Sequence, residues 1–213
     1  MRRLPVYLLL DVSGSMRGEP IAAVNKGLQD LVDALRMNPY ALETAFLSII
    51  TFNDQVENVV PLTELYKIQI PTLEAKRGTY LGKALKFLSS KAEEDVVKTT
   101  SERKGDWKPL TFIMSDGRSG DKIEKAMKEV NIKQFGCIVA CGYGNNVNLE
   151  ALRQITSNVV CMRETTGDSI SSFFKWITAS IVQTSTKLEE TNSDSYTMNE
   201  LPPPPSRINL IKM

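Results

Sequence analysis

Two hydrophobic patterns alternate along the chain. Short, nearly continuous runs of Val, Ile, Leu and Phe predict strands over residues 6–10, 45–52, 110–115, 135–141 and 158–163. Continuous runs of this length fit strands covered on both faces, which is the setting of a parallel sheet. A weaker run over 56–62 follows Asn53-Asp54 and predicts an edge strand joined by a hairpin. Between the runs, apolar residues recur three and four apart. Ile21, Val24, Leu28, Leu31 and Leu35 form one such stripe; Leu81, Leu85, Leu88 and Ala92 a second; Ile170, Phe173, Ile177 and Ile181 a third. Shorter helices are predicted over 122–133 and 149–155.

Strands alternating with helices give the α/β class: a doubly wound, mostly parallel sheet flanked by helices. Its functional crevice lies beyond the carboxyl ends of the strands, so the loops after Leu10 and Ser115 matter most. The pattern stops near Glu189, where Glu189-Glu190-Thr191-Asn192-Ser193-Asp194-Ser195 leads to Leu201 and four prolines, Pro202 to Pro205. The expected organisation is one domain over 1–188 and a flexible polar and proline-rich tail over 189–213. The prolines act there as a spacer or as a short polyproline segment for an aromatic groove on a partner.

Composition narrows the function. At 213 residues and 42% hydrophobic, the chain can bury its own core. Its formal charge of +1 gives no general attraction to nucleic acid or to an anionic membrane. There is no histidine, which removes the usual general base, the Ser-His-Asp and Cys-His nucleophile systems and mixed Cys/His zinc sites. Cys137, Cys141 and Cys161 are an odd set in apolar runs and read as buried thiols of a reducing compartment. The apolar run after Met1-Arg2-Arg3 is too short to span a membrane and lacks a small-residue cleavage site, so the cytoplasm is expected.

The candidate chemistry lies where strands end. Asp11-Val12-Ser13-Gly14-Ser15 places three oxygen-bearing side chains at alternate positions of a turn after the first strand. Crowded oxygen ligands suit a hard cation; magnesium takes about six in octahedral array and usually retains some water. Asp116, in Ser115-Asp116-Gly117, offers a second carboxylate at the end of another buried strand. Thr79, in Arg77-Gly78-Thr79-Tyr80, precedes an amphipathic helix, where its hydroxyl either caps the helix or ligates a metal. Arg17 and Arg118 follow the two metal loops, as solvated charges or as sources of positive potential around the opening. Gly142-Tyr143-Gly144 lacks the third glycine of a dinucleotide fingerprint and is read as a turn.

DxSxS after the first strand, Gly-Thr before a helix and Ser-Asp-Gly after a later strand resemble the metal-ion-dependent adhesion site of a von Willebrand factor type A domain, over roughly residues 4 to 185. The chain is most similar within that family to the bacterial TerY-like proteins of tellurium-resistance clusters. By this resemblance Ser13 and Ser15 bind the metal directly, Thr79 directly or through water, and Asp11 and Asp116 largely through water. Magnesium is the expected ion, with manganese or calcium as alternatives. The resemblance implies a binding protein rather than an enzyme, whose ion accepts an acidic residue of a partner. A Ser/Thr kinase and a PP2C-type phosphatase are the partners implied. Tyr80 departs from the smaller or polar residue common after the threonine, and its ring can shape the metal face.

The rival reading is a magnesium-dependent phosphatase or phosphotransferase of haloacid dehalogenase type, which also places Asp at the end of an apolar strand. That chemistry needs a second acid two residues on for proton transfer, and here the position is Ser13.

Overall fold

The computed structural model describes residues 2–191 and 196–211. The strands are β1 (Leu4–Asp11), β2 (Ala45–Phe52), β3 (Val56–Glu64), β4 (Leu110–Ser115), β5 (Cys137–Tyr143), β6 (Val159–Met162) and β7 (Asn209–Leu210). They form one sheet in the order β3-β2-β1-β4-β5-β6-β7. β1 pairs in parallel with both β2 and β4, and β4, β5 and β6 continue the parallel set. β3 pairs with β2 in antiparallel, as the hairpin reading expected. Because the chain winds outward in both directions from β1, the strand order reverses between β1 and β4. That is where a doubly wound sheet opens its crevice.

Alternation along each strand feeds two cores. Leu4, Val6, Leu8 and Leu10 of β1 face one layer with Phe112, Met114 and Val139, while Tyr7 and Leu9 face the other with Ile50, Phe52 and Ile113. The first layer is closed by α1 (Glu19–Arg36), α2 (Pro39–Thr44) and α6 (Gly167–Thr191), the second by α3 (Leu81–Asp95), α4 (Ile123–Met127) and α5 (Leu149–Arg153). α1 and α6 meet closely at Gly27, where an added Cβ would stand 2.4 Å from Phe174 Cδ2. A glycine inside a helix costs about 0.5–1 kcal/mol relative to alanine, so its place here is explained by the approach of the Phe174 ring.

Several boundaries differ from expectation. α4 is five residues rather than a helix over 122–133, and a separate 3₁₀ turn follows at Ile132–Gln134. The intervening Asn131 donates its backbone N–H to Ser89 Oγ at 3.1 Å, a tertiary bond in place of a helical one. β5 runs to Tyr143 instead of stopping at Cys141, so Gly142 and Tyr143 belong to the strand and not to a turn.

The described part of the 189–213 segment is not a free tail. α6 continues through Thr191. Beyond it Tyr196, Leu201 and Ile208 are buried, and Asn209–Leu210 adds β7 to the edge of β6. The Tyr196 hydroxyl donates to Lys108 O at 2.8 Å, and the Trp176 indole N–H donates to Pro202 O at 2.8 Å. Lys187 and Glu200 form an ion pair between α6 and the returning chain. Three apolar anchors spaced among polar and prolyl residues suffice to strap the segment down, although its composition reads as disordered. Residues 192–195 and 212–213, also assigned to that tail, lie outside the described residues. Among the described residues, no helix is long and apolar enough to cross a membrane.

Candidate metal centre

The structure brings Asp11, Ser13, Ser15, Thr79 and Asp116 to one place, at the carboxyl ends of β1 and β4. Asp11 is the last residue of β1 and is 1% exposed. Its Oδ1 accepts the Ser13 backbone N–H at 2.8 Å, which folds the following turn back over the carboxylate. Its Oδ2 accepts from Ser115 Oγ at 3.3 Å and from Thr79 Oγ1 at 3.5 Å. Ser13 Oγ and Ser15 Oγ lie 3.0 Å apart, and Ser15 Oγ is 3.4 Å from the Tyr143 hydroxyl. Asp116 is half-buried; its Oδ1 accepts the Arg118 backbone N–H at 2.9 Å. Gly117 next to it has φ +72°, and a Cβ there would stand 2.4 Å from Asn148 O, so only glycine lets the chain turn at this point.

The helix-capping alternatives do not hold. Ser13 makes no side-chain cap bond, and α1 begins after Gly18, beyond the turn. The first amides of α3 are satisfied from another loop: Leu81 N donates to Ser119 Oγ at 2.9 Å, Gly82 N to Asp121 Oδ1 at 3.0 Å and Lys83 N to Asp121 Oδ2 at 2.7 Å. An acid at a helix amino end is favourable in itself, but here it also releases Thr79. The Thr79 hydroxyl is left to Asp11 and to Arg118 O at 3.4 Å.

Asp11 has no cationic side chain beside it among the described residues. Burial pushes its carboxyl up to about 6, against hydrogen bonds from Ser13 and Ser115 that act the other way, and the neighbouring Asp116 charge raises it further. Asp116 is also raised by burial, although the Arg118 backbone bond and guanidinium oppose this. A buried carboxylate facing a second carboxylate and three hydroxyls is a costly arrangement unless a cation completes it. The donors are all oxygens, which suits a hard divalent ion rather than a thiophilic one. No group of three or more Asp, Glu or Cys side chains placed to hold a metal occurs among the described residues. The fit therefore rests on two carboxylates with hydroxyls.

Two residues at the site escape the sequence reading. Ser115 lies in the motif as a strand residue; its hydroxyl donates to Asp11 while accepting the Gly117 N–H at 3.1 Å. Tyr143 is hidden when the end of β5 is placed two residues early; its buried hydroxyl faces Ser15, and burial beside Asp11 and Asp116 raises its pKa. The three cysteines are free and buried, with thiols raised by burial, in keeping with packing rather than redox or metal chemistry.

The family model of the von Willebrand factor type A domain matches residues 6–175. Comparison with curated proteins gives no match. Among solved structures, the chain is similar to proximal thread matrix protein 1 from the mussel byssus with a zinc-occupied metal-ion-dependent adhesion site: 17% identity, TM-score 0.56, covering 84% of this chain and 48% of that one. It is also similar to the pilus adhesin SpaC of Lactobacillus rhamnosus GG, at 12% identity and TM-score 0.66, covering 86% and 30%. The paralogue of ArnB from Sulfolobus acidocaldarius gives 16%, 0.58, 86% and 45%. The chain thus spans about half or less of the length of these structures, and at such identities the likeness is one of fold.

Proposed function

The chain belongs to the von Willebrand factor type A family, and from that premise we propose that it is a non-enzymatic protein-interaction module whose divalent ion accepts an acidic side chain of a partner. The observation that carries this reading is Asp11: a carboxylate 1% exposed, with no cation beside it among the described residues, ringed by hydroxyls that no helix end uses. Ser13, Ser15 and Thr79 would hold the ion with Asp11 and Asp116 around them. When bound, the ion supplies an electrophilic position open to one further oxygen ligand. Two carboxylates would balance a divalent charge, and an acidic side chain of a partner would fill the position left open.

Magnesium is the proposed ion. Calcium takes six to eight oxygens and commonly draws on more carboxylates than this site gathers. The resemblance to TerY-like proteins extends the proposal to a cytoplasmic, bacterial phospho-signalling complex in tellurium resistance or stress response. A Ser/Thr kinase and a PP2C-type phosphatase are its proposed partners.

The phosphotransferase reading is disfavoured by geometry as well as by sequence. A nucleophilic aspartate must reach its substrate, whereas both Asp11 oxygens are engaged and the side chain is shut from solvent. The residue two positions on is Ser13, which cannot serve as the acid.

The test is a pull-down from native lysate in millimolar magnesium, with chelator and with Asp11→Ala bait as parallel arms. Proteins retained only by wild type with metal, a kinase or phosphatase among them, are the expected result. Equal retention in all three arms means that recognition uses another surface.

A further inference from the structure

Beside the metal residues lies a cavity of about 210 Å3 lined by Ser15, Asp116, Arg118, Tyr143, Asn145 and Thr165, among others. It shares Ser15 and Asp116 with the metal cluster and takes Arg118 from the same loop as Asp116, while the rest of its walls come from the end of β5 and the loops after β5 and β6. Asn145 follows β5, and Thr165 stands between β6 and α6. The cavity therefore runs sideways from the β1/β4 crevice along the carboxyl edge of the sheet.

Its lining is rich in donors. Arg118 is anchored by its Nε, which donates to Asn146 O at 3.1 Å, and by its backbone N–H on Asp116. The remaining guanidinium nitrogens carry no hydrogen bond to the described residues. Asn145 and Thr165 likewise spend no side-chain group on the described protein. Asp116 is the one anion in the lining, and a bound divalent ion would take up its charge.

We propose that this cavity is a second acid-binding subsite, and that the partner presents an extended acidic-x-acidic segment: one carboxylate on the ion, the next but one on Arg118. This rests on the metal-bridged reading above. The spacing follows from geometry. Strands lie about 4.8 Å apart, and Arg118 Nε rests on Asn146 O in the loop after β5, so its guanidinium stands about 5 to 10 Å from the β1/β4 crevice. In an extended peptide, side chains i and i+2 share a face and are about 6.6 Å apart, which spans that interval; neighbours i and i+1 point to opposite sides. The planar guanidinium fork supplies paired donors that match a carboxylate.

The test compares three capped hexapeptides in NMR titrations with magnesium or with chelator. They carry one Asp, two Asp at i and i+1, or two Asp at i and i+2, and each is titrated into wild type and Arg118→Met. This variant keeps the backbone bond to Asp116 and removes the guanidinium. In magnesium the i,i+2 peptide is expected to bind about tenfold more tightly than the single-Asp peptide in wild type, and Arg118→Met to bring the ratio of the two affinities, measured within the variant, to about one. Metal-dependent binding of all three peptides with equal affinity would overturn the subsite and leave the metal reading standing. Absence of metal-dependent binding by any peptide would overturn both. A fourth peptide, with phosphoserine in place of the second Asp of the i,i+2 pair, would overturn the carboxylate assignment if it bound more than tenfold better than that Asp peptide.

Discussion

Replacing Asp11 by asparagine should make the metal-free protein more stable. The carboxyl titrates near 6 in the fold against an ordinary 3.8, because burial opposes its charge. The raised group binds its proton more tightly when folded, so its favourable contribution is complete below about pH 4 and is lost as pH rises through about 6. Above that, the ionised buried carboxylate costs about 3 kcal/mol, taken from the gap between the two values. The asparagine would keep the acceptor for the Ser13 N–H, and its amide nitrogen could donate to Ser115 and Thr79, since hydroxyls accept as well as donate. In urea denaturation with chelator at pH 7.5, Asp11→Asn is expected to gain about 1–3 kcal/mol over wild type, and at pH 4 the gain should vanish. Magnesium at a hundred times its dissociation constant should return about 2.7 kcal/mol to wild type and nothing to the variant. A variant equally or less stable in chelator at pH 7.5, with the same difference at pH 4, would refute the reasoning.

Other expectations follow from packing and from the site. Gly27→Val should cost about 1–3 kcal/mol in denaturant unfolding, because its side chain meets the Phe174 ring and neither helix can withdraw without opening the core. Trp176→Phe removes the donor to Pro202 O, and limited proteolysis should then cut within 196–211 several-fold faster than in wild type, with α6 intact by circular dichroism. Asp116→Ala, half-buried on a loop rim, should leave the thermal midpoint in chelator within a few degrees of wild type while abolishing metal-dependent partner capture. Unfolding of that variant where wild type is folded would show that the site also holds the fold together.

The parallel strands are legible because burial on both faces leaves long apolar runs, and β2 and β4 match their expected limits residue for residue. For the site, topology gives only the region, the loops beyond the carboxyl ends of the strands. That Asp11 and Asp116 meet depends on β1 and β4 being neighbours, which the resemblance implies and the pairing of β1 with β4 shows. What escapes depends on contacts between distant residues. Capping of α3 by Asp121 joins positions nearly forty residues apart, and no local signal says that Thr79 is thereby freed. Tyr143 is misplaced because a Gly-Tyr-Gly segment reads as a turn until the pairing of Gly142 opposite Ser115 of β4 and of Tyr143 opposite Met162 of β6 carries the strand through it. The 196–211 strap is misread because composition averages over Tyr196, Leu201 and Ile208, whereas docking depends on those three anchors individually.

The central claim is that Asp11, Ser13, Ser15, Thr79 and Asp116 hold one divalent ion with a position open to a carboxylate. Manganese titration followed by electron paramagnetic resonance, combined with water-proton relaxation, tests it most directly. The account predicts one bound ion per chain in wild type and none in Asp11→Asn or in a Ser13→Ala/Ser15→Ala variant. It also predicts a fall in relaxation enhancement as an Asp-containing peptide displaces the bound water. Equal manganese binding by wild type and variants, or relaxation that no acidic peptide changes, would contradict it.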